Sequence, residues 1–462
     1  MKDSNTKKAH KTLEIIEKFN YLDILKADNI TPIIEKYSPV HRERIFTPTV
    51  TLSLFLKQAL SPDRSCANAV NNYIIDNLEK LPSNISNSTG SFCRSRKRLP
   101  LELIQELARH TGNSIKQNLS KDYDIEGNAY LIDGTTFSLP DTPENQKAFP
   151  QQSTQAEGLG FPICRALGIF CLESGAAINA DIAAYKGKGT SEHQLLRNLL
   201  GTFKKGDLIV GDALYSSFWL LEYCLRMGID CVFQQNGNRR KKSALNDSES
   251  NENKDQLSHY NKPQKPDWMG DDEYVSIPNS IAVRELKMKH KVIVTTLFDP
   301  VKAPPETIDE IYKSRWHIEL DFRNLKATMS LSNLSCKTPE MCKKEIWVCL
   351  LANNLIRIIM MQASMCFKVK PRSISFKNTL QIWNKVSGCY SKALKKIGQF
   401  LLFIAKKIVG NRSGRVEPRA KKRRASAYSL LMTTRREARD NIRKNGHPPK
   451  KRKNTGANGA IA

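Results

Sequence analysis

The sequence predicts an α/β protein whose mixed β-sheet, flanked by helices, lies between a helical amino-terminal region and a basic helical carboxyl-terminal region. Three observations predict this class: helical periodicity comes first, strand-like and helix-like runs then alternate, and short strands return before further helices. The predicted units are the helical region, the first part of the core, a β-rich insertion, the second part of the core and the basic region, over residues 1–125, 126–239, 240–300, 301–365 and 366–462.

The amino-terminal region contains several helix-like runs, such as LSLFLKQAL and LELIQELARHTGNSIKQNL, separated by the breakers SPD and SNISNSTGS. The segment FCRSRKRLP concentrates positive charge at a helix boundary. We expect Arg94 and Arg96 to contact DNA there, with an ordinary solvated face as the alternative.

The predicted core begins with three strands, in NAYLIDGTTFSL, FPICRALGIFCL and AAINADIAAY. Two helices, in SEHQLLRNLLGTF and SFWLLEYCLRMG, then alternate with two strands, in DLIVGDA and DCVFQQN. After a polar segment, YVSIPNSIAVRELKM and HKVIVTTLF read as short strands, and Pro304 and Pro305 set the start of a helix. This order predicts a mixed sheet with helices packed against it.

The charge balance favours a polyanionic partner. Lysine and arginine number 73 against 46 acidic residues, which gives a net charge of +27, and such an excess suits nucleic acid or an anionic membrane surface. The longest apolar run, from Ile346, is interrupted by Asn353, Asn354 and Arg357, so it predicts a buried helix and no membrane span. Eleven cysteines without a C-x-x-C pair and an amino terminus without an apolar signal core predict a reduced, cytoplasmic protein.

The stretch YKSRWHIELDFRNLK carries charges beside its apolar stripe. At about 100° per residue, Tyr312, Arg315, Glu319 and Lys326 lie within about 60° of one another on a helical wheel. Their face borders the predicted core stripe of Ile311, Ile318, Phe322, Leu325 and Met329, and the opposite, solvated face is predicted to hold Lys313, His317, Asp321 and Asn324. An unpartnered carboxylate at a core boundary is costly, so Glu319 is expected to meet a metal or another cation.

Two further carboxylates follow apolar strands. Asp133 comes directly after YLI, and Asp212 follows LIVG. If these strands are neighbours, the two side chains converge with Glu319, and three carboxylates repel unless divalent cations separate them. Two Mg²⁺ or Mn²⁺ ions roughly 4 Å apart would then activate a water or a 3′ hydroxyl for phosphoryl transfer, with Tyr312, Arg315 and Lys326 holding phosphates. The alternative is structural: turn-forming aspartates and an i, i+4 ion pair between Arg315 and Glu319.

The order Asp, Asp, then Y-x2-R-x3-E-x6-K resembles the bacterial cut-and-paste transposases of the DDE superfamily, in the insertion sequence four family. Tyr312, Arg315, Glu319 and Lys326 match this signature position for position. The segments FTPTVTLSLFLKQALSPD, YKGKGTSEH and LSCKTPEMCKKEIW are also similar to one subgroup. The resemblance implies an RNase H-like catalytic core with a β-rich insertion between the second aspartate and the glutamate.

The resemblance also implies an activity: cleavage at terminal inverted repeats of double-stranded DNA, a hairpin on the transposon end, and strand transfer by a homodimer. An aromatic residue of the insertion stabilises a flipped base in such enzymes, and Trp268 is the candidate here, with a packing role as the alternative. Many members have Asp-Arg at the second catalytic position, whereas this chain has Asp212-Ala213. No ATP requirement is expected, and the enzyme is expected to associate with the bacterial nucleoid.

Two other functions remain open from the sequence: a catalytically silent DNA-binding protein derived from a transposase, and a structure-selective nuclease with the same core. The basic runs at 421–424 and 450–453 read as non-specific DNA contacts whose binding weakens with salt, or as a charged tail that aids solubility.

Overall fold

The computed structural model describes residues 27–38, 45–82, 85–116, 126–154, 158–237, 255–288, 291–386, 397–410 and 433–446. The two basic runs that were predicted to contact DNA non-specifically lie outside these ranges.

The amino-terminal part is helical wherever it is described. Its helices α1 to α5 are Ala27–Tyr37, Pro48–Leu60, Cys66–Asp76, Gly90–Arg98 and Leu101–Lys116. Thr47 and Ser65 cap the second and third by accepting a backbone N–H with their hydroxyls. Helices α2 and α5 pack against a long helix of the core, α12 (Pro339–Phe367). Arg64, which precedes α3, also donates to the Glu345 carboxylate of α12 at 2.8 Å and so ties this region to the core.

One eight-stranded sheet forms the centre of the molecule, in the order β3-β2-β1-β4-β5-β8-β7-β6. In chain order, β1 to β8 are Ala129–Ser138, Ile163–Cys171, Ala177–Ala184, Leu208–Gly211, Asp230–Gln234, Asp255–Asn261, Ser280–Met288 and Lys291–Thr295. Strand β2 pairs antiparallel with both β1 and β3, while β4 runs parallel to both β1 and β5. This arrangement of β1 to β5 is that of an RNase H-like core, as predicted.

The β-rich insertion extends the core sheet. Strand β8 pairs antiparallel with β5, and β7 and β6 follow outward. Tyr274 to Ser276, which begin a segment predicted as strand, instead lie in the short helix α9, Asp271–Ser276. Three acidic residues in the first turn of α9 suit a helix amino terminus. The insertion is therefore continuous with the catalytic sheet and places its own residues beside that sheet.

Helices cover both faces of the sheet. One face carries α7 (Glu192–Leu199) and α8 (Phe218–Met227); the other carries α10 (Pro305–Ser314), α11 (Trp316–Arg323) and α12 (Pro339–Phe367). Successive side chains of β1 point to opposite faces of the sheet. Tyr130 and Ile132 therefore pack in the core on the side of α7 and α8, and Leu131 packs in the core on the opposite face. Gly228 ends α8 with a φ of 64°, a left-handed conformation that glycine adopts without strain.

The long helix α12 is apolar and long enough to cross a membrane, yet 94% of its most apolar window is buried inside the protein. It therefore serves as the central core helix, as its three interrupting polar residues predicted. Asn354, for example, accepts the N–H of Ala177 at 2.8 Å and donates to its carbonyl at 2.8 Å.

The remaining described helices are α6, in the loop after β1, and three in the carboxyl-terminal region. Helices α6 and α13 to α15 are Pro143–Ala148, Phe376–Val386, Ile397–Lys406 and Arg435–Asn445. Helix α14 packs on α12, which joins this region to the core.

Candidate active site

Asp133 and Asp212 lie side by side at neighbouring strands. The parallel register pairs Tyr130 with Ile209 and Leu131 with Val210, so two residues further Asp133 comes opposite Asp212. Strands in a sheet are about 4.8 Å apart, and both side chains therefore meet where β4 ends. Each carboxylate also accepts a local backbone N–H at 2.8 Å, from Gly134 and Leu214 respectively. The prediction that the two strands are neighbours is confirmed.

The environment of Asp133 disfavours its negative charge. Burial, together with the nearby charges of Asp212 and Glu192, raises the pKa of Asp133 from 3.8 to about 6. The Gly134 N–H and the Arg315 guanidinium act in the opposite direction. A buried carboxylate with two like charges beside it gains most from a bound cation, which relieves both repulsions.

Replacing Asp133 with asparagine is expected to stabilise the metal-free protein at neutral pH. A carboxyl group whose pKa is raised in the folded state imposes a penalty that is absent below pH 3.8 and complete above about pH 6. The Asp133→Asn variant should therefore be more stable than wild type in EDTA at pH 7.5, by up to about 3 kcal/mol, and should unfold at a higher temperature; the gain should shrink at pH 5. An equal or lower midpoint at pH 7.5 would contradict this electrostatic account.

Glu319 is brought to the same region by helix α11. Its neighbours Ile318 and Phe322 are buried, and the Phe322 ring packs edge-on against Phe170 of β2 at 5.4 Å. The Glu319 carboxylate accepts a hydrogen bond from Arg315 at 3.1 Å, and its side chain is 37% exposed. The structural alternative, an i, i+4 ion pair, is thus formed in this conformation. Arg315 also interacts with the charge of Asp133, so its guanidinium is near enough to both carboxylates to attract each of them.

The donor set fits a divalent cation of the Mg²⁺ type. Mg²⁺ is typically held by one or two carboxylates, with waters and substrate phosphates completing its shell, and Asp133 and Asp212 supply two at one strand end. Within the described ranges no three Asp, Glu, His or Cys side chains stand close enough to hold an ion. Glu319 would therefore exchange Arg315 for the cation, a movement that its exposed side chain permits.

The helical wheel predicted the core stripe correctly but failed for Asp321. Ile311, Ile318, Phe322, Leu325 and Met329 are all buried, as predicted. Asp321, predicted to face solvent, is completely buried between Arg357 and Arg372, at 2.7 Å from each. The segment is also not one regular helix, because it divides at Arg315 and ends in a π-helical turn, Asn324–Thr328. These irregularities rotate later side chains away from a uniform 100° step.

Tyr312 and Lys326 occupy more enclosed positions than a direct DNA contact requires. The Tyr312 side chain is buried, and its hydroxyl donates to Gln234 of β5 at 2.8 Å. Lys326 lies in the π-helical turn with its ammonium 5.3 Å from the Phe137 ring centroid, and burial lowers its pKa. Their part in binding DNA stays a prediction.

Arg96 requires a correction. It is 8% exposed, donates to Gln58 at 2.9 Å and stacks over Phe55 and Phe92 at 4.8 and 5.1 Å. Its guanidinium is thus engaged in packing α4 against α2, and the predicted DNA contact does not fit this position. Arg94 is exposed on α4 as expected. Lys97 and Arg98 of α4 are exposed as well.

Trp268 borders a cavity beside the site. The Arg197 guanidinium lies 3.9 Å from its ring centroid, and the Trp219 ring meets it edge-on at 6.2 Å. The cavity, of about 330 Å³, runs between α7, α8 and the insertion, with His193 in its wall. The His193 ring is 6.1 Å from that of Tyr215. Tyr215 in turn interacts with the charges of Asp133 and Asp212, so the cavity lies near these carboxylates. Trp268 itself is 42% exposed, so part of its ring is accessible although Arg197 covers one face.

Sequence reasoning missed Glu192, the first residue of α7. Its carboxylate lies at Gly134, directly after Asp133, and accepts a hydrogen bond from Tyr215 at 3.3 Å. Only the docking of α7 on the sheet brings it there. The glycine at position 134 was the one local signal, since a glycine beside a functional residue often marks a close approach.

Known proteins match the region that contains this site. Residues 126–355 match the family model described as Transposase DDE domain. The transposase InsG for insertion sequence element IS4 of Escherichia coli strain K12 is 28% identical over 253 residues, which cover 54% of this chain and 56% of that protein. The match thus spans little more than half the length of the curated relative.

A piggyBac transposase synaptic complex with hairpin DNA, solved by cryo-electron microscopy, aligns with a TM-score of 0.44 and 12% identity. The alignment covers 84% of this chain and 83% of that one. Residues 126–355, which include Asp133, Asp212 and Glu319, thus match the transposase DDE domain family, and the chain is similar to a transposase of the IS4 type.

Proposed function

We propose that this protein is a DNA transposase that moves its insertion sequence by a cut-and-paste reaction dependent on divalent cations. It would cleave double-stranded DNA at the terminal inverted repeats, form a hairpin on the transposon end and join that end to target DNA as a homodimer, without ATP. Membership of the DDE family implies dependence on a divalent metal; two Mg²⁺ or Mn²⁺ ions are the specific proposal. Such a protein would act in the cytoplasm, at the nucleoid.

One observation carries the proposal: Asp133 and Asp212 occupy the same level of adjacent parallel strands, and the helix bearing Glu319 packs over that end of the sheet. Divalent cations bound there would activate a water or a 3′ hydroxyl and stabilise the leaving oxygen. Arg315, released from Glu319, would face the phosphate beside the cleaved bond with its planar guanidinium. Lys326 would add a second positive charge along the same helical segment.

The test is cleavage of labelled DNA that carries the element's own ends joined to flanking sequence. Wild-type protein in Mg²⁺ should nick and then hairpin these ends, and EDTA should abolish both products. Specific end binding without cleavage in Mg²⁺ or Mn²⁺ would instead support the silent DNA-binding protein. Cleavage that ignores the terminal sequence and never joins ends to target DNA would support the structure-selective nuclease.

The hairpin step would use the cavity beside Trp268. A hairpin forces the terminal nucleotide out of the helical stack, and an aromatic face compensates for the stacking lost. Trp268 offers such a face with Arg197 packed over its ring. A cavity of about 330 Å³ is in the range of small-ligand sites. The proximity of His193, in its wall, to Tyr215 supports a position near the proposed cleavage point.

Trp268→Ala is therefore expected to separate the two steps. First-strand nicking should remain within about twofold of wild type, because the carboxylates are untouched, whereas the hairpin yield should fall about tenfold, since base stacking contributes about 1–3 kcal/mol. Denaturing gels of end-labelled substrate measure both products. Phe403→Ala, which removes an exposed aromatic on α14, is the matched control. An unchanged ratio of hairpin to nick in Trp268→Ala would contradict this role.

A further inference from the structure

Glu192 approaches the two catalytic strands from the face opposite Asp133. Successive residues of β1 point to opposite faces, so Gly134 faces α7 while Asp133 faces the α10 to α12 layer. A Cβ atom at Gly134 would lie 2.2 to 2.5 Å from the Glu192 carboxylate atoms, a distance at which only glycine fits. The carboxylate thus lies directly on the β1 backbone, one residue from Asp133.

Three elements of the fold hold this carboxylate in place. The Tyr215 hydroxyl donates to Oε2 at 3.3 Å, and the Arg165 Nε of β2 lies 3.7 Å from Oε1. Arg165 is itself fixed, since it donates to the Thr190 carbonyl at 2.9 Å and stacks over Tyr185 at 4.8 Å. Ser191, the α7 cap, accepts the Gln194 N–H and so sets where the helix begins. Glu192 is therefore directed to Gly134 by its surroundings.

Tyr215 connects Glu192 to both catalytic aspartates. This tyrosine is fully buried, follows β4 closely, and interacts with the charges of Glu192, Asp133 and Asp212. Its neighbour in the β4 strand, Gly211, also admits the tyrosine ring closely, since a Cβ there would lie 2.8 Å from it. The hydroxyl donates its hydrogen bond to Glu192, the carboxylate that does not face the proposed cation.

We propose that Glu192 is a positioning residue of the cation site: its fixed carboxylate, acting with Tyr215 from behind β1 and β4, adds negative charge that strengthens cation binding at Asp133 and Asp212. This inference rests on the proposed function, because it assigns a further residue to the same site. Groups that support metal-binding carboxylates without touching the ion typically contribute 10- to 100-fold in metal affinity. The predicted consequence is a change in affinity, with Glu192 remaining outside the reaction itself.

The test is Mn²⁺ affinity of the full-length protein, measured by electron paramagnetic resonance of free Mn²⁺ after treatment with EDTA and dialysis. Glu192→Gln keeps the side-chain shape and removes the charge, so we expect about tenfold weaker binding. Glu222→Gln is the matched control, because Glu222 is also a glutamate paired with an arginine, Arg226, at 2.9 Å. Its Mn²⁺ affinity should equal that of wild type.

A role limited to packing makes a different prediction. If Glu192 only pairs with Arg165, then Glu192→Gln and Arg165→Gln should lower the thermal midpoint alike and leave Mn²⁺ affinity within twofold of wild type, and that result would overturn the inference. Should Glu192→Gln fail to fold, Tyr215→Phe decides, with weaker Mn²⁺ binding expected and unchanged binding contradictory. Absence of Mn²⁺ binding by wild type, or equal binding by Asp133→Asn, would overturn the proposed cation site and this inference together.

Discussion

Replacing Glu319 with glutamine is expected to abolish cleavage of the element's ends while leaving specific end binding intact. Glutamine keeps the size of the side chain but removes the charge that a divalent cation requires, and loss of cation stabilisation costs several kcal/mol in the transition state. About 4 kcal/mol corresponds to roughly a 10³-fold slower reaction. Rates of nicking in Mg²⁺, measured under single-turnover conditions, provide the comparison.

The matched control for this prediction is Glu310→Gln. Glu310 is exposed on α10, the helix preceding α11, and lies on the same helical segment without facing the aspartates. Its variant should cleave at the wild-type rate. If Glu319→Gln also cleaves at the wild-type rate, the observed ion pair with Arg315 is the whole role of Glu319, and its catalytic assignment is wrong.

Removing the carboxylate of Asp321 is expected to produce the largest loss of stability. Asp321 is fully buried, and its oxygens accept hydrogen bonds from Arg357 at 2.7 Å and from Arg372 at 2.7 and 2.8 Å. Asp321→Ala would leave the buried Arg357 guanidinium without its counter-charge, which typically costs about 3–5 kcal/mol. Urea unfolding followed by circular dichroism should show a clearly lower midpoint.

Asp309→Ala controls for the general loss of an ion pair near the site. Asp309 pairs with Lys313 at 2.6 Å and Lys291 at 3.6 Å, but it is partly exposed. Surface pairs contribute about 0–1 kcal/mol, so this variant should unfold near the wild-type midpoint. Similar losses in Asp309→Ala and Asp321→Ala would show that the two arginines do not depend on Asp321.

The strand-end aspartates were predictable because their signal is local. A short apolar run fixes a strand, and the residue after it must lie at the strand end, so Asp133 and Asp212 converge as soon as β1 and β4 pair in parallel. Whether those two strands are neighbours depends on the tertiary fold, and the sequence indicated it only through the order of the elements and the family resemblance. The apolar stripe of α10 and α11 was equally predictable from the local sequence, since one face of a helix must pack on the sheet.

Asp321 shows where a local pattern fails. A charged residue opposite an apolar stripe normally faces water, but α12 and the carboxyl-terminal region cover that side of α11 and bring Arg357 and Arg372 to it. These partners are 36 and 51 residues away in the sequence, and no periodicity within α11 encodes them. Glu192 escaped notice for the same reason, because it reaches Gly134 only through the packing of α7.

Arg96 shows that a basic run in the sequence does not reveal which of its charged side chains face solvent. Four of the five residues from Arg94 to Arg98 are basic, yet α4 has an inner face, and position 96 falls on it beside Phe55 and Phe92. An arginine can pack its guanidinium flat on aromatic rings and still donate to Gln58. The insertion was recognised as β-rich from its strands, but its continuity with the core sheet depends on the pairing of β8 with β5.

The central claim is that Asp133, Asp212 and Glu319 form one cation site. A crystal of the full-length protein soaked in Mn²⁺ tests it most directly, because anomalous scattering locates the ion independently of activity. The account predicts Mn²⁺ between the Asp133 and Asp212 carboxylates, with Glu319 turned from Arg315 towards the ion. Mn²⁺ bound elsewhere, or bound with Glu319 still paired to Arg315, would contradict it.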